Sequence, residues 1–376
     1  MLRTTYHIDQ HWAFSKGRHQ KKWIKAHAAH AERVSLPHCW NSRDAFQDGV
    51  AYYRGPASYQ RSFRVDHDAA TGEGTWLLCS EGFYGTGQLW LNGHKIADLD
   101  GAYLGFELDI TSYLKLEADN LLTVFLTNKC RKHVLPGITM PDFLLYGGLS
   151  GRMFLRHLPV CHIRSDSLAL IVGEFQPGEQ SIPVTIQLEC STPAPQGMTV
   201  TATIRDREKS ENLAVLELSC RQEGHYEAEI ILQDPPIWDV DNPRLIDVAA
   251  QLHVQGALHD ELRIQSGIRH AEFIPEQGFF LNGRRLQIRG WNRHESMPGF
   301  GRAVPDGLHL LDAQLLKSCG GNAVRLSHYP QAPRFLDHCD ELGILVLAEI
   351  ATWKSVREGR WLKNALSQLK RMMLRD

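Results

Sequence analysis

A multidomain fold is predicted, two β units followed by a region of alternating strands and helices, and three observations predict it. Up to about residue 270, short aromatic and branched runs are broken by Gly, Asn and Asp, and no long stretch has the 3.6-residue helical period. After Phe279 the pattern changes, and helical stripes appear between short apolar runs. Two of those runs end in polar clusters, Trp291-Asn292-Arg293-His294-Glu295 and Ser327-His328-Tyr329. Strand, polar tip, helix is how a parallel barrel presents working side chains at the carboxyl ends of its strands.

The first unit spans residues 1–160. Tyr59–Val65 alternates, Thr75–Cys79 is apolar, and Leu121–Phe125 continues into Leu126 as another strand. Gln88–Leu91 runs into Asn92-Gly93, the strongest short hairpin signal. Many short strands with frequent turns imply a sandwich or jelly roll. The second unit, 161–271, carries seven strand candidates: Ser167–Val172, Ile182–Leu188, Thr199–Ile204, Ala214–Leu218, Glu227–Leu232, Val248–Val254 and Glu261–Ile264. Seven strands in about 110 residues fit an immunoglobulin-like sandwich. It has no Cys-Trp-Cys arrangement, so this is the disulfide-free version. The proline-rich stretch Pro235–Pro243 reads as a rigid turn around a buried Trp238.

In the third unit, 272–376, Leu286-Gln287-Ile288 and Ala323–Leu326 read as strands. Gly307–Ser318 has a helical stripe at Leu308, Leu311, Leu315 and Leu316. Ala332–Leu342 repeats it and stops at Gly343. Ile344–Ala348 is wholly apolar, as in a parallel strand covered on both faces. Trp361–Leu374 is an amphipathic helix with Leu362, Leu366, Leu369 and Met373 on one side. Three such strand–helix units, joined by right-handed crossovers, give a parallel sheet or barrel.

Composition narrows the function. The chain is 43% hydrophobic and 22% charged, ordinary for globular protein, and its net charge of −2 gives no general drive toward nucleic acid or an anionic membrane. Lys16–Lys25 is locally basic, and reads as a solvated loop in preference to a phosphate-binding patch. Eight scattered cysteines without C-x-x-C spacing suit reduced thiols in a cytoplasmic protein. No signal peptide is expected, and no apolar run reaches the roughly 20 residues a membrane span needs. His27 and His30 have no convincing ligand set, and no phosphate loop, G-x-S-x-G or dinucleotide fingerprint occurs. Neither a cofactor nor a metal is expected.

The motifs together resemble glycoside hydrolase family 2, the β-galactosidase and β-glucuronidase group. Leu36-Pro37-His38-Cys39-Trp40-Asn41 is similar to an early family motif. Phe83–Thr86, Trp90–Gly93 and Gly101–Thr111 are similar to its sugar-binding core, and Asp142-Phe143 with Tyr146–Leu149 to a later one. Gly267-Ile268-Arg269 closes the middle domain, and Asn292–Glu295 and Ser327–Pro330 match two barrel signatures. The resemblance covers nearly the whole chain. It implies a jelly-roll sugar-binding domain, an immunoglobulin-like β-sandwich and an eight-stranded (β/α)8 TIM barrel, of which about three βα units are here.

It also implies a retaining, exo-acting glycosidase on β-linked sugars such as β-galactosides or β-glucuronides. Retaining hydrolysis takes two carboxyl groups about 5 to 5.5 Å apart, one acid/base and one nucleophile. In the family these are glutamates at the ends of the fourth and seventh barrel strands, expected beyond Asp376, so no catalytic residue is assigned and the chain alone is expected to be inactive. The residues matching Asp142, His294 and His328 line the sugar pocket. Asn292 and Arg293 brace the first strand. Glu295 and Glu349 end strands one and three and are expected to face the same pocket. Imidazole and carboxylate suit hydroxyl recognition, since between them they donate and accept. Trp291 and Trp353 either stack on a sugar face or pack in the core. The alternatives are a non-catalytic carbohydrate-binding protein, or one half of a split enzyme. An incomplete sheet leaves strand edges and an apolar face open, so self-association or a complementing C-terminal chain is expected.

Overall fold

The computed structural model describes residues 2–28, 30–65, 73–138, 141–191 and 194–376. The first unit is built of two facing antiparallel sheets. One has the order Thr4–His7, Met153–Pro159, Gly74–Ser80, Phe106–Asp109. The other runs Glu32–Val34, Trp12–Lys16, Pro56–Arg64, Asp119–Thr127, Tyr84–Leu91, Gly148–Leu149, His38–Cys39, with His94–Ala102 also pairing Tyr84–Leu91. Period-2 alternation sends Trp12, Tyr59, Leu89 and Val124 from one sheet against Trp76, Leu78 and Leu155 from the other. The hairpin turn at Asn92 (φ 52°) and Gly93 (φ 88°) has both central residues left-handed, which Asn-Gly tolerates best. Thr4–His7 pairs with Met153–Pro159, so the two ends of this unit are fastened together.

Seven antiparallel strands form the second unit, in the order Ala169–Val172, Ser181–Glu189, His225–Gln233, Asn212–Gln222, Met198–Asp206, Ile246–Val254, Ala257–Ser266. Asn212–Gln222 pairs with Met198–Asp206 over its first part and with His225–Gln233 over its last, passing from one half of the sheet to the other. Val184, Ile186, Val200, Ile204, Val248 and Leu252 fill the core. All eight cysteines are free.

A hairpin, Ala271–Ile274 with Gly278–Leu281, leads into three parallel strands: Gly290–Arg293, Ala323–Leu326 and Leu345–Leu347. The helices are α1 (Asp306–Ser318), α2 (Pro333–Leu342) and α3 (Arg360–Arg375). Val324 and Leu326 pack against Ala313 of α1 and Phe335 and Cys339 of α2. The opposite face carries Asn292, Arg325 and Leu347, which lie in one row across the three strands.

The structure corrects two expectations. Leu286-Gln287-Ile288 is not a strand. The Leu286 N–H turns back to the Phe279 carbonyl at 2.9 Å, and Leu286 is buried beside Trp238. Parallel pairing begins at Gly290, where a Cβ would lie 1.9 Å from the Ala323 carbonyl oxygen. Second, the Leu345–Leu347 strand is not covered on both faces, for Leu347 is 49% exposed. The apolar stripe of α3 lies on one side, as expected, and that side faces outward. Leu362, Leu366, Leu369 and Met373 are exposed, while Trp361, Ala365 and Met372 are buried. On α1, Leu311 and Leu315 are likewise exposed.

Two seams hold the units together. On one, α3 lies on the first unit, where Trp361 and Ala365 join Tyr103, Leu135, Leu145 and Tyr329. Arg360 pairs with Asp100 at 3.0 Å. On the other, fully buried Trp238 of the proline-rich bend donates its indole N–H to the Asp340 carbonyl of α2 at 2.9 Å. Gly343 ends α2 in the left-handed region (φ 72°), and a Cβ there would sit 2.3 Å from the Val240 carbonyl oxygen. Lys317 of α1 reaches both the Val240 and Gly343 carbonyls, at 2.5 and 3.0 Å. Replacing Trp238 with alanine is expected to lower stability by about 3–5 kcal/mol, read as a lower urea midpoint by circular dichroism. An unchanged midpoint would show that this seam is not held by the indole.

Candidate functional site

The carboxyl ends of the three parallel strands meet a loop of the first unit. His294 follows the first strand, His328 the second, and Glu349 the third. Phe143, from the loop before Gly148–Leu149, reaches in among them. Its ring centroid lies 5.3 Å from that of His294, 5.6 Å from His328, 5.6 Å from Tyr329 and 6.0 Å from Trp353. The two imidazoles stand 5.2 Å apart and nearly perpendicular, at 80°. Beside Phe143, Asp142 is exposed.

Arg325 organises the row behind the histidines. It alternates with Val324 and Leu326, so it stands on the face away from the helices. Its guanidinium pairs with Glu349, donates to Asn292 Oδ1 at 3.3 Å, and lies 3.2 Å from His328 Nδ1. The same Nδ1 is 3.4 Å from Glu349 Oε2. A protonated Nδ1 donates to the carboxylate, and a bare one accepts from the guanidinium. His294 Nδ1 meets the Tyr329 hydroxyl at 3.4 Å. Burial lowers the His294 pKa below the ordinary 6.5, and the His328 and Arg325 charges lower it further, while the Asp142 carboxylate opposes them.

The structure thus gathers Asp142, His294, His328, Asn292 and Glu349, but not Glu295. Glu295 is 3% exposed and turns away beneath α2. Its carboxylate pairs with Arg302 at 2.8 Å and accepts the Ala332 N–H at 2.7 Å, at the positive end of that helix. The expectation that it faces the pocket is corrected, because alternation turns the chain inward after His294. Arg293 is also buried. It donates to Asp312 at 2.9 and 2.7 Å and lies 3.9 Å over the Phe335 ring, tying the first strand to both helices. Trp291 lies over Gly321 and lines an open groove on the α1 side with Leu315 and Leu316, a groove that His294 also borders. Trp353 meets Phe143 edge-on.

Phe143 and Arg325 were not singled out from sequence. Arg325 had a signal, a charge inside an apolar strand run. Phe143 had its place in the Asp142-Phe143 motif, where it was not read as part of the site. Among the described residues no group of three or more His, Cys, Asp or Glu is placed to hold a metal ion, and no helix is long and apolar enough to cross a membrane.

Imidazole, carboxylate, amide and guanidinium groups around an aromatic ring give donors, acceptors and a flat apolar surface together, the surface a carbohydrate-active protein offers a pyranose. Comparison with known proteins makes the class specific. Residues 6–159 match the sugar binding domain of glycosyl hydrolases family 2, and residues 273–373 match the TIM barrel domain of the same family. The chain belongs to glycosyl hydrolase family 2. It is 32% identical over 347 residues to a β-galactosidase of Thermoanaerobacter pseudethanolicus, covering 92% of this chain and 46% of that protein. It is 28% identical to a β-glucuronidase of Bacteroides fragilis, covering 85% of this chain and 46% of the relative. A crystal structure of a Bacteroides uniformis β-glucuronidase superposes with a TM-score of 0.88 at 26% identity, over 99% of this chain and 45% of that one. The chain therefore spans about half the length of the relatives it matches.

In nuclear magnetic resonance titration, His294 is expected to protonate below 6.5, and Asp142→Asn to move it lower still, by removing the one charge that raises it. The depressed value favours the neutral ring in the fold. Its contribution to stability is therefore present above the unfolded-state pKa and is lost as pH falls through the folded one. Titration at or above 6.5 would contradict the assignment.

Proposed function

We propose that the chain holds the terminal sugar of a β-linked glycoside at the carboxyl ends of the three parallel strands. Asp142, His294 and His328 bind its hydroxyls, and Asn292 and Glu349 support them through Arg325. The whole protein is read as a retaining, exo-acting glycoside hydrolase of carbohydrate metabolism, acting on β-galactosides or β-glucuronides in the cytoplasm. Residues 1–160 serve as a jelly-roll sugar-binding domain, 161–271 as an immunoglobulin-like spacer, and 272–376 as the N-terminal part of the barrel. The observation that carries this reading is the convergence of His294 and His328 on Phe143, beside Asp142.

Bond cleavage is a separate matter. Two carboxylates near the cluster are engaged, Glu349 with Arg325 and His328 and Glu295 with Arg302, while exposed Asp142 is read as a hydroxyl ligand. Neither is placed to act as acid or nucleophile, roles the family resemblance assigns to the fourth and seventh barrel strands. The 376 residues alone are read as binding without cleaving. Calorimetry with methyl β-galactoside and methyl β-glucuronide is expected to show binding that weakens about tenfold in His294→Ala, His328→Ala and Asp142→Asn, roughly 1.4 kcal/mol each. Chromogenic β-glycosides are expected to stay intact. Hydrolysis lost in the same variants would overturn the second statement, and no binding to either sugar would overturn the first.

A second reading, a chain that needs a polypeptide partner, is favoured by one set of exposures. Trp291, Leu311 and Leu315 on one flank, and Leu347, Leu366 and Met373 on the other, all lie open. Further strand–helix units, from the same or another polypeptide, would cover them. By itself the 376-residue chain is expected to bind an apolar dye and to self-associate in light scattering. A dye-silent monomer would count against this reading.

A further inference from the structure

The first unit holds a second feature that the histidine cluster does not use. A hollow of about 340 Å³ lies where the strands Trp12–Lys16, Glu32–Val34 and Pro56–Arg64 run side by side. Its floor is Ala13, which pairs with Arg33 on one neighbouring strand and Gln60 on the other. Trp12 and Phe14 point into the core, so Ala13 and its two partners face outward. A small residue between two long ones leaves the depression.

The wall of the hollow is built, not loose. Gln60, 4% exposed, donates to the carbonyls of Trp23 at 2.6 Å and Ala26 at 2.9 Å, and accepts the Ala28 N–H at 2.7 Å. These three bonds fasten the segment that carries His27 over the sheet. Arg33, Arg61, His11 and His27 line the space, and among the described residues no acidic one does. Arg61 uses one guanidinium nitrogen on the Ser62 carbonyl at 2.6 Å, while its Nε is buried and finds no hydrogen-bond partner among the described residues. The charge is regional. From His11 to Val34 the sequence has six Lys or Arg and one Glu, in a chain of net charge −2.

We propose that this hollow is a second binding site, which takes the oxyanion of a small acidic saccharide, a uronate carboxylate or a sulfate ester. Its volume is at the lower end of the roughly 300–1,000 Å³ usual for small-molecule sites. Two guanidiniums supply the planar donors an oxyanion needs, and two imidazoles can bond the neighbouring hydroxyls. Burial, and with it the nearby Arg33 charge, lowers the Arg61 pKa, a like-charge opposition that an anion would relieve. Among the described residues no Phe, Tyr or Trp lines the space, so a nucleic-acid base would have only the two imidazoles to stack on. The saccharide half of this proposal rests on the carbohydrate reading above. The anion half does not.

Calorimetry on the full 376-residue chain tests it, with trigalacturonate and an O-sulfated disaccharide as probes, and cellotriose, inorganic sulfate and a single-stranded oligonucleotide as controls. One acidic saccharide is expected to bind, more weakly as salt rises, and which of the two binds identifies the acid group. Arg33→Gln and Arg61→Gln are each expected to weaken it about tenfold or more. His294→Ala with His328→Ala is expected to leave it unchanged, which separates this site from the first even if neutral glycosides fail to bind there. Arg33 is exposed on a short edge strand, so Arg33→Gln gives the readout should Arg61→Gln not fold. The proposal is overturned if neither acidic saccharide binds, if a control binds as tightly, or if folded Arg33→Gln binds as the parent does.

Discussion

Burying a guanidinium demands compensation on every side, and the compensation Arg302 receives joins the first unit to the parallel sheet. Its charge faces Glu295 at 2.8 Å, and it donates to the Pro330 carbonyl at 2.7 Å. Its flat face covers Tyr103 at 4.2 Å and Tyr329 at 5.1 Å. Those two rings stack at 4.1 Å, one from each unit. Tyr329 then touches His294 through its hydroxyl. The position of the imidazole therefore depends on a ring in the other unit, through a cation neither unit could bury alone. A β unit that only decorated the barrel would leave the strand-end histidines without this support.

Much of this architecture was legible in the sequence, and the reasons are local. Alternation in runs such as Ile182–Leu188 and Val248–Val254 marks strands that bury one face, and all seven strands of the second unit lie where that pattern puts them. Asn92-Gly93 specified its hairpin, and Gly343 its helix end. The start of the first parallel strand was not legible at Leu286, because the residue that decides it is Gly290, through a close approach rather than through hydrophobicity. Nor was the outward direction of the α3 stripe. Periodicity shows that an apolar face exists, and says nothing of what covers it.

The site divides in the same way. His294 and His328 could be read from polar clusters that end strands, since a strand end is a local feature. Glu295 lies in the same cluster and points elsewhere, because one residue of alternation separates a side chain in the opening from one under a helix. Phe143 stands more than 150 residues before His294 in the chain, and only tertiary folding brings the two rings together.

Gly343 carries a consequence of its own. The hydrogen atom that lets it end α2 is also what lets the Val240 backbone of the second unit approach. Helix length and the spacing between units are thereby written into one atom, and any side chain there would disturb both at once. The seam cannot drift gradually by small substitutions at this point. A side chain at this position would require the loop around Val240 and the end of α2 to move apart together.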